Sequence, residues 1–495
     1  MENSLLKTVG IYKSFVGVHA LKNVSFDIKP GEIHCLAGEN GSGKSTLIKV
    51  ISGVYGPDGG HMEIGGRTYE RLTPIEAIKN GIQVIYQDFS IFPNLTVMEN
   101  LAFNTQVAEQ KRLVNWKWMR QIARESIDRI NFDIDLDAIV GSLSVAQKQM
   151  IAISRALMFN TKLIIMDEPT TALTRKEVQK LFSLILRLQE QGIAILFVSH
   201  KLNEVFEISE NFSILRNGEM VAQGSTNDLD AAKFSYYMTG REFEAERFHP
   251  GTLSPFPVFE VRNVSSGGFF HDVSLELRKG EILGITGLLD SGRSELALSM
   301  FGLLPIDSGE FLMHGEPVAL KNPRDAITRK IGYVPEDRLS EGLFLPRSIG
   351  DNIVIAEIDR LISTVGGTLD AEKRQDEVTR WVKELSIATP NPDNACQTLS
   401  GGNQQKVVLA KWLACNLDVL ILNGPTVGVD IGSKHDIHAI LQKLARQGLA
   451  LIIISDDLPE VLENCSRVVI MKSGKVVADI DAADADEQKI LSYMM

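Results

Sequence analysis

Gly38 to Ser45 reads GENGSGKS and lies between an apolar run, EIHCLA, and a helical pattern, STLIKVIS. Glycines at Gly38, Gly41 and Gly43 let backbone N–H groups turn inward around an anion, and the helix start adds positive potential. Lys44 in this spacing reaches the β- and γ-phosphates of a nucleotide, and Ser45 ligates a magnesium ion. Two adjacent carboxylates, Asp167 and Glu168, close a second apolar run, LIIM. Asp167 suits the hydration shell of Mg²⁺. Glu168 suits orienting or polarising an attacking water. A glycine-rich turn arising by chance would seldom combine strand, loop, Lys-Ser and helix in register.

The elements that must position these groups are written twice. VSFDIKPGEIHCLAGENGSGKSTL from Val24 returns as VSLELRKGEILGITGLLDSGRSEL from Val273, and at the same offset Gln87 returns as Glu336. At a slightly longer offset Ser144 returns as Ser400, Glu168 as Gly424 and His200 as Asp456. Two homologous halves are therefore expected, residues 1–240 and 258–495. Segment 241–257, REFEAERFHPGTLSPFP, starts charged and ends with Pro250, Pro255 and Pro257, the composition of a short, stiff linker. Within each half, apolar β-branched runs such as KLIIM, IAILFVS and LIIIS alternate with helical patterns. That alternation predicts an α/β fold with a mostly parallel sheet covered by helices on both faces.

The chain has 495 residues, too many for one hydrophobic core. A formal net charge of −12 argues against a nucleic-acid binder, which presents a basic face. Cys35, Cys396, Cys415 and Cys465 have no paired spacing, so no disulfide framework or zinc site is expected. The N-terminus lacks the long apolar core of a signal peptide, and the apolar runs are strand-sized, shorter than the ~20 residues of a spanning helix. His435 and His438 fall at i, i+3 spacing and read as a solvated helix face; Trp116 and Trp118 read as packing within a helical subdomain.

Taken together, the motifs resemble those of ATP-binding cassettes. Gly38, Glu39, Asn40, Gly41, Ser42, Gly43, Lys44, Ser45 and Thr46 look like a Walker A motif, Asp167-Glu168 like Walker B, and His200 like the switch histidine. Gln87 matches the Q-loop and, by the resemblance, joins Ser45 and Asp167 as a metal-site residue. LSVAQ at Leu143 and LSGGN at Leu399 look like signature motifs. The resemblance implies two fused P-loop, RecA-like ATPase domains, each with a helical signature subdomain and a small antiparallel β subdomain. The finer match is to the tandem ATPase subunits of bacterial importers of the ribose, xylose and galactoside type. It implies ATP and Mg²⁺ as cofactors, and as partners a membrane permease dimer and a periplasmic or surface solute-binding protein. It places the chain peripherally at the cytoplasmic side of the inner membrane, with no nucleic-acid partner. Phe15 aligns with the residue that stacks on adenine in this family, and Tyr12 competes for that role. Asp88 to Leu101 is the candidate permease groove.

In such proteins each ATP lies between the Walker motifs of one cassette and the signature of the other. The resemblance thus implies one complete site: Lys44, Ser45, Gln87, Asp167, Glu168 and His200 facing Ser400, Gly401 and Gly402. The other site carries Arg293, Ser294, Glu336, Asn423, Gly424 and Asp456, facing Ser144. Gly424 has no side chain to orient water, and the Asp456 charge would repel phosphate, so this second site is expected not to hydrolyse ATP. Two rivals share tandem cassettes. A soluble ATPase acting on ribosomes or nucleic acid would carry two complete sites and a long basic linker. A DNA-repair ATPase would carry zinc-type cysteine clusters.

Overall fold

A computed structural model describes residues 4–108, 114–171, 173, 175–242, 247–288, 290–362 and 368–494. The chain divides into two compact units, Met1–Phe243 and Glu244–Met495.

In the first unit the strands Leu163–Asp167, Ala194–Val198 and Ile33–Ala37 are buried almost throughout. Continuous apolar β-branched stretches of this kind suit a sheet covered on both faces. They form the middle of a six-stranded sheet whose order runs Ile82–Ile85, Leu163–Asp167, Ala194–Val198, Ile33–Ala37, Asn211–Arg216, Glu219–Ser225. All neighbours are parallel except the last pair. A separate four-stranded antiparallel sheet is built on Leu6–Phe15 and Val18–Ile28. There burial alternates cleanly from Val24 to Ile28, the period-two pattern of a sheet with one wet face. Helices Val97–Ala108, Trp116–Arg129 and Val145–Ala156 supply a third, helical part with its own apolar cluster around Leu101, Met119, Ile127 and Ile151.

The second unit repeats this plan. Its six-stranded sheet orders Ile331–Val334, Val419–Asn423, Ala450–Ile454, Ile282–Gly287, Arg467–Lys472 and Lys475–Asp481, strand for strand the order of the first. Its small antiparallel sheet is built on Pro257–Ser266 and Phe270–Arg278, and its helical part on Ile349–Val354, Ala371–Glu384 and Gly401–Leu413.

Part of segment 241–257 is seated on the second unit. Phe248 is buried in that unit's core, its N–H donates to the Glu463 carbonyl at 2.7 Å, and Arg446 lies over its ring. Burying one such side chain contributes about 1.5–3 kcal/mol. Among the described residues no helix is long and apolar enough to cross a membrane.

Candidate functional site

Because the strands are parallel, their carboxyl ends share one edge. The Gly38 loop, Gln87, Asp167-Glu168 and His200 all leave the sheet there, which is where open parallel sheets bind ligands. Gly41 and Gly43 have φ of 83° and 111°, a left-handed backbone that glycine adopts freely. A Cβ on Gly43 would meet the Ala20 carbonyl at 2.5 Å, and one on Gly38 the Leu215 carbonyl at 2.4 Å. Lys44 opens helix Lys44–Ile51 and is buried. Its ammonium donates to the carbonyls of Gly38 at 2.6 Å and Glu39 at 3.0 Å, so the loop cradles its own cation. Burial lowers the Lys44 pKa, and the charges of Glu168, Asp167 and Glu39 oppose that shift. Asn40 and Ser45 are exposed at the loop, Thr46 is half-buried, and Ser42 Oγ is buried without a protein partner.

The two carboxylates are pushed in opposite directions. Burial, then the neighbouring Glu168 charge, raises the Asp167 pKa. Glu168 is held below the usual carboxylate range by a hydrogen bond from His200 Nδ1 to its Oε1 at 3.2 Å, which outweighs its own burial. Glu168 is thus kept ionised. Glu168 also has φ of +48°, unusual for a residue with a side chain. The turn that carries it is pinned from below: Thr170 and Ser199 each donate to one oxygen of buried Glu204 at 2.6 Å. This bracket ties the Glu168 turn to the loop of His200. The sequence reading missed it, although Thr170 and Glu204 return at one offset as Thr426 and Glu460. Gln87 is exposed in the turn after strand Ile82–Ile85. Phe15 is 43% exposed with its ring edge-on to Tyr55, and Tyr12 is 47% exposed, so both aromatics stay open to a base.

Among the described residues no group of three His, Cys, Asp or Glu side chains could hold a metal. Ser45, Asp167 and Gln87 lie at this sheet edge, and their hydroxyl, carboxylate and amide oxygens are of the kind that magnesium takes.

The second unit builds the same loop with different chemistry. Arg293 opens helix Arg293–Met300 and donates through Nη1 to the Gly287 carbonyl, as Lys44 does to Gly38. Its Nη2 lies 3.7 Å from Asp456. The two substitutions that the sequence presents as separate defects are thus partners, and the Asp456 charge is met by the loop's own cation. Asn423 is buried and bonds Tyr333, whose phenol burial pushes up to about 12. Gly424 has φ of +60°, the conformation that Glu168 holds at the corresponding position. The bracket is kept: Thr426 and Ser455 each donate to Glu460 at 2.6 Å. His438 adds a contact to Glu460 at 2.9 Å. Despite burial, the bonds and charges around Glu460, led by His438, hold its pKa down at about 2.

Residues 21–171 and 270–427 each match the family described as ABC transporter. The chain belongs to the ABC transporter family. It is 39% identical to the ribose import ATP-binding protein RbsA of Bacillus licheniformis, over 98% of this chain and 98% of that one. It is 40% identical to ribose import ATP-binding protein RbsA 1 of Rubrobacter xylanophilus, over 98% of this chain and 97% of that one. A putative ribose/galactose/methyl galactoside import ATP-binding protein of Hahella chejuensis is 39% identical, over 98% and 94%.

The two ABC signatures also differ in what their serines do. Ser144 caps its own helix in a reciprocal box with Gln147. Ser400 makes no such cap; its Oγ accepts from Asn403 Nδ2 at 2.9 Å, and Asn403 Oδ1 in turn accepts from the Ala388 N–H. Both hydroxyls accept, one from a backbone N–H and the other from a side-chain amide, so each keeps its own proton for a ligand. Gly402 is closely packed, since a Cβ there would meet Ser433 Oγ at 2.0 Å. Two expectations in the ABC cassettes fail. His438 is buried against Glu460, not solvated, because helix Ile431–Arg446 turns this position inward. Trp116 is 56% exposed, at the first turn of its helix, whereas Trp118 packs on the helical cluster. Within Asp88 to Leu101, Phe92 is exposed and stacks edge-on with Phe103.

Proposed function

We propose that this chain is the ATP-hydrolysing subunit of an importer for a monosaccharide or related small polar solute, working through one catalytic site. ATP hydrolysis is its activity, coupled to transport. The observation that carries the one-site reading is the contrast at corresponding positions: Glu168 bonded to His200 in one half, Gly424 beside an Arg293–Asp456 pair in the other.

In this reading ATP sits on the Gly38–Thr46 loop, with Phe15 or Tyr12 against its base, and closes against Ser400, Gly401 and Gly402. Lys44 leaves its loop carbonyls for the phosphates. Ser45, Asp167 and Gln87 would hold a magnesium ion, which would supply charge neutralisation to the phosphates. Glu168, ionised and aimed by His200, positions the attacking water. Loss of one γ-phosphate reopens the pair, so one site suffices for a cycle. The partners are a permease dimer and a periplasmic or surface solute-binding protein, with this chain at the cytoplasmic face of the membrane.

The test is uptake of radiolabelled ribose, xylose and galactose in cells that carry this chain with a permease and solute-binding protein encoded beside it. Lys44→Ala should abolish both uptake and ATPase activity. Undiminished uptake in that variant would overturn the reading.

A further inference from the structure

The loop after strand Ile331–Val334 holds a cation with no counterpart in the first half. Asp337 caps the following turn by accepting from the N–H groups of Leu339 and Ser340. Between them Arg338 projects to the turn beyond Gly424, where Nη1 donates to the Val427 carbonyl at 2.5 Å and Nη2 to the Gly428 carbonyl at 2.9 Å. Two parallel N–H groups on successive carbonyls use the planar fork of arginine, which lysine lacks. The guanidinium also lies against the start of the signature helix. A Cβ on Gly401 would meet Arg338 Nη2 at 2.7 Å and the Gly428 carbonyl at 3.1 Å. One side chain therefore touches the loop after Glu336, the turn 427–428 and the first signature glycine.

The first half is built otherwise. The position of Arg338 is Phe89, and that of Gly401 is Val145. There the contact runs the other way, from Arg155 of the signature helix to the carbonyls of Phe89 and Ser90 at 2.9 and 2.7 Å. The second half keeps that link as well, through Lys411 to the Gly342 carbonyl at 2.7 Å. The Arg338 clamp is thus an addition to a link that both halves share.

We propose that Arg338 is a positioning residue for hydrolysis at the first site: it fixes Gly401 and the 427–428 turn as one unit that presents the second half's signature to the ATP held on Lys44. This rests on the composite-site reading above. The clamp joins the loop of Glu336 to the signature, so a displacement of that loop moves the surface that faces the γ-phosphate. Arg338 touches no nucleotide in this scheme and acts through Gly401.

The experiment compares full-length Arg338→Ala, Arg338→Lys and Ser400→Arg for ATPase kcat, nucleotide affinity and amide exchange of residues 427–430. Arg338→Ala should lower kcat at least tenfold, leave ATP affinity within about twofold, and speed exchange at 427–430 by tenfold or more. Arg338→Lys, which keeps bulk and charge but not the fork, should fall between and decides the matter if the alanine variant does not fold. A kcat within twofold of the parent in a folded Arg338 variant, with Ser400→Arg inactive, overturns the clamp and spares the composite site. An active Ser400→Arg overturns the composite site itself. Slowed turnover with unchanged exchange at 427–430 also overturns the clamp.

Discussion

The sites on Lys44 and Arg293 share one backbone and differ in what that backbone carries. Both helices start after a left-handed glycine, Gly43 and Gly292, and both opening cations bond the first loop glycine. Both carboxyl-terminal strand turns are pinned by a Thr–Glu–Ser bracket. The residue after the strand is left-handed in both, at +48° in Glu168 and +60° in Gly424. A side chain in this conformation costs of order 1–2 kcal/mol. The first half bears that cost to place a carboxylate beside His200, and the second half, having given up the carboxylate, has the residue that bears it least. The difference is one of side chains, not of scaffold. The second site's scaffold is intact, Asp456 lies against the loop's own Arg293, and its buried glutamate has gained a histidine.

The strongest way to break this comparison is Glu168→Gln. ATP binding should persist while hydrolysis falls by roughly two to three decades, the scale of a lost general base. Turnover near that of the parent chain in a steady-state assay would mean that the Arg293 site is catalytic after all. His200→Ala should be nearly as damaging and carries a pH signature. Glu168 has a depressed pKa in the folded protein because His200 bonds it, so its ionised form persists as pH falls, until that lowered pKa is crossed. Removing His200 raises that pKa, and the acid limb of the kcat–pH profile should move to higher pH; an unmoved limb would separate His200 from Glu168. A smaller effect is expected from repair. In the Glu168→Gln background, Asn423→Asp with Gly424→Glu alone should recover almost nothing, because Asp456 still occupies Arg293. Adding Arg293→Lys, Glu336→Gln and Asp456→His should raise hydrolysis measurably above that background. Recovery with the first two changes alone would show that the ion pair is no obstacle. The smallest effect is Gly424→Ala, which should destabilise the protein by about 1–2 kcal/mol through its left-handed φ, read as a lower Tm. The Cβ would also meet Val427 Cγ2 at 2.8 Å.

Much of this site was legible because its parts are local or repeated. The phosphate loop needs a strand, glycines and Lys-Ser within a dozen residues. The second copy identifies what changed, position by position. His438 shows where that legibility ends. On the sequence it belongs to a polar i, i+3 pair, yet a glutamate 22 residues further along the chain accepts its hydrogen bond. Arg338 is similar, since its acceptors are backbone carbonyls, and backbone carbonyls leave no trace in residue type.

The sequence by itself determined the doubling of the chain, the parallel sheets, the phosphate loop and the loss of Asp and Glu from the second copy, because periodicity and motif spacing are properties of neighbours along the chain. Only the tertiary structure decided that Arg293 meets Asp456, that Glu204 and Glu460 pin the turns after the strands, and that Arg338 reaches Val427. Each of these is a contact between loops that leave different strands of one sheet. Their distances are set by strand order and by burial of the apolar strands beneath them, which bring residues far apart in the chain to one edge.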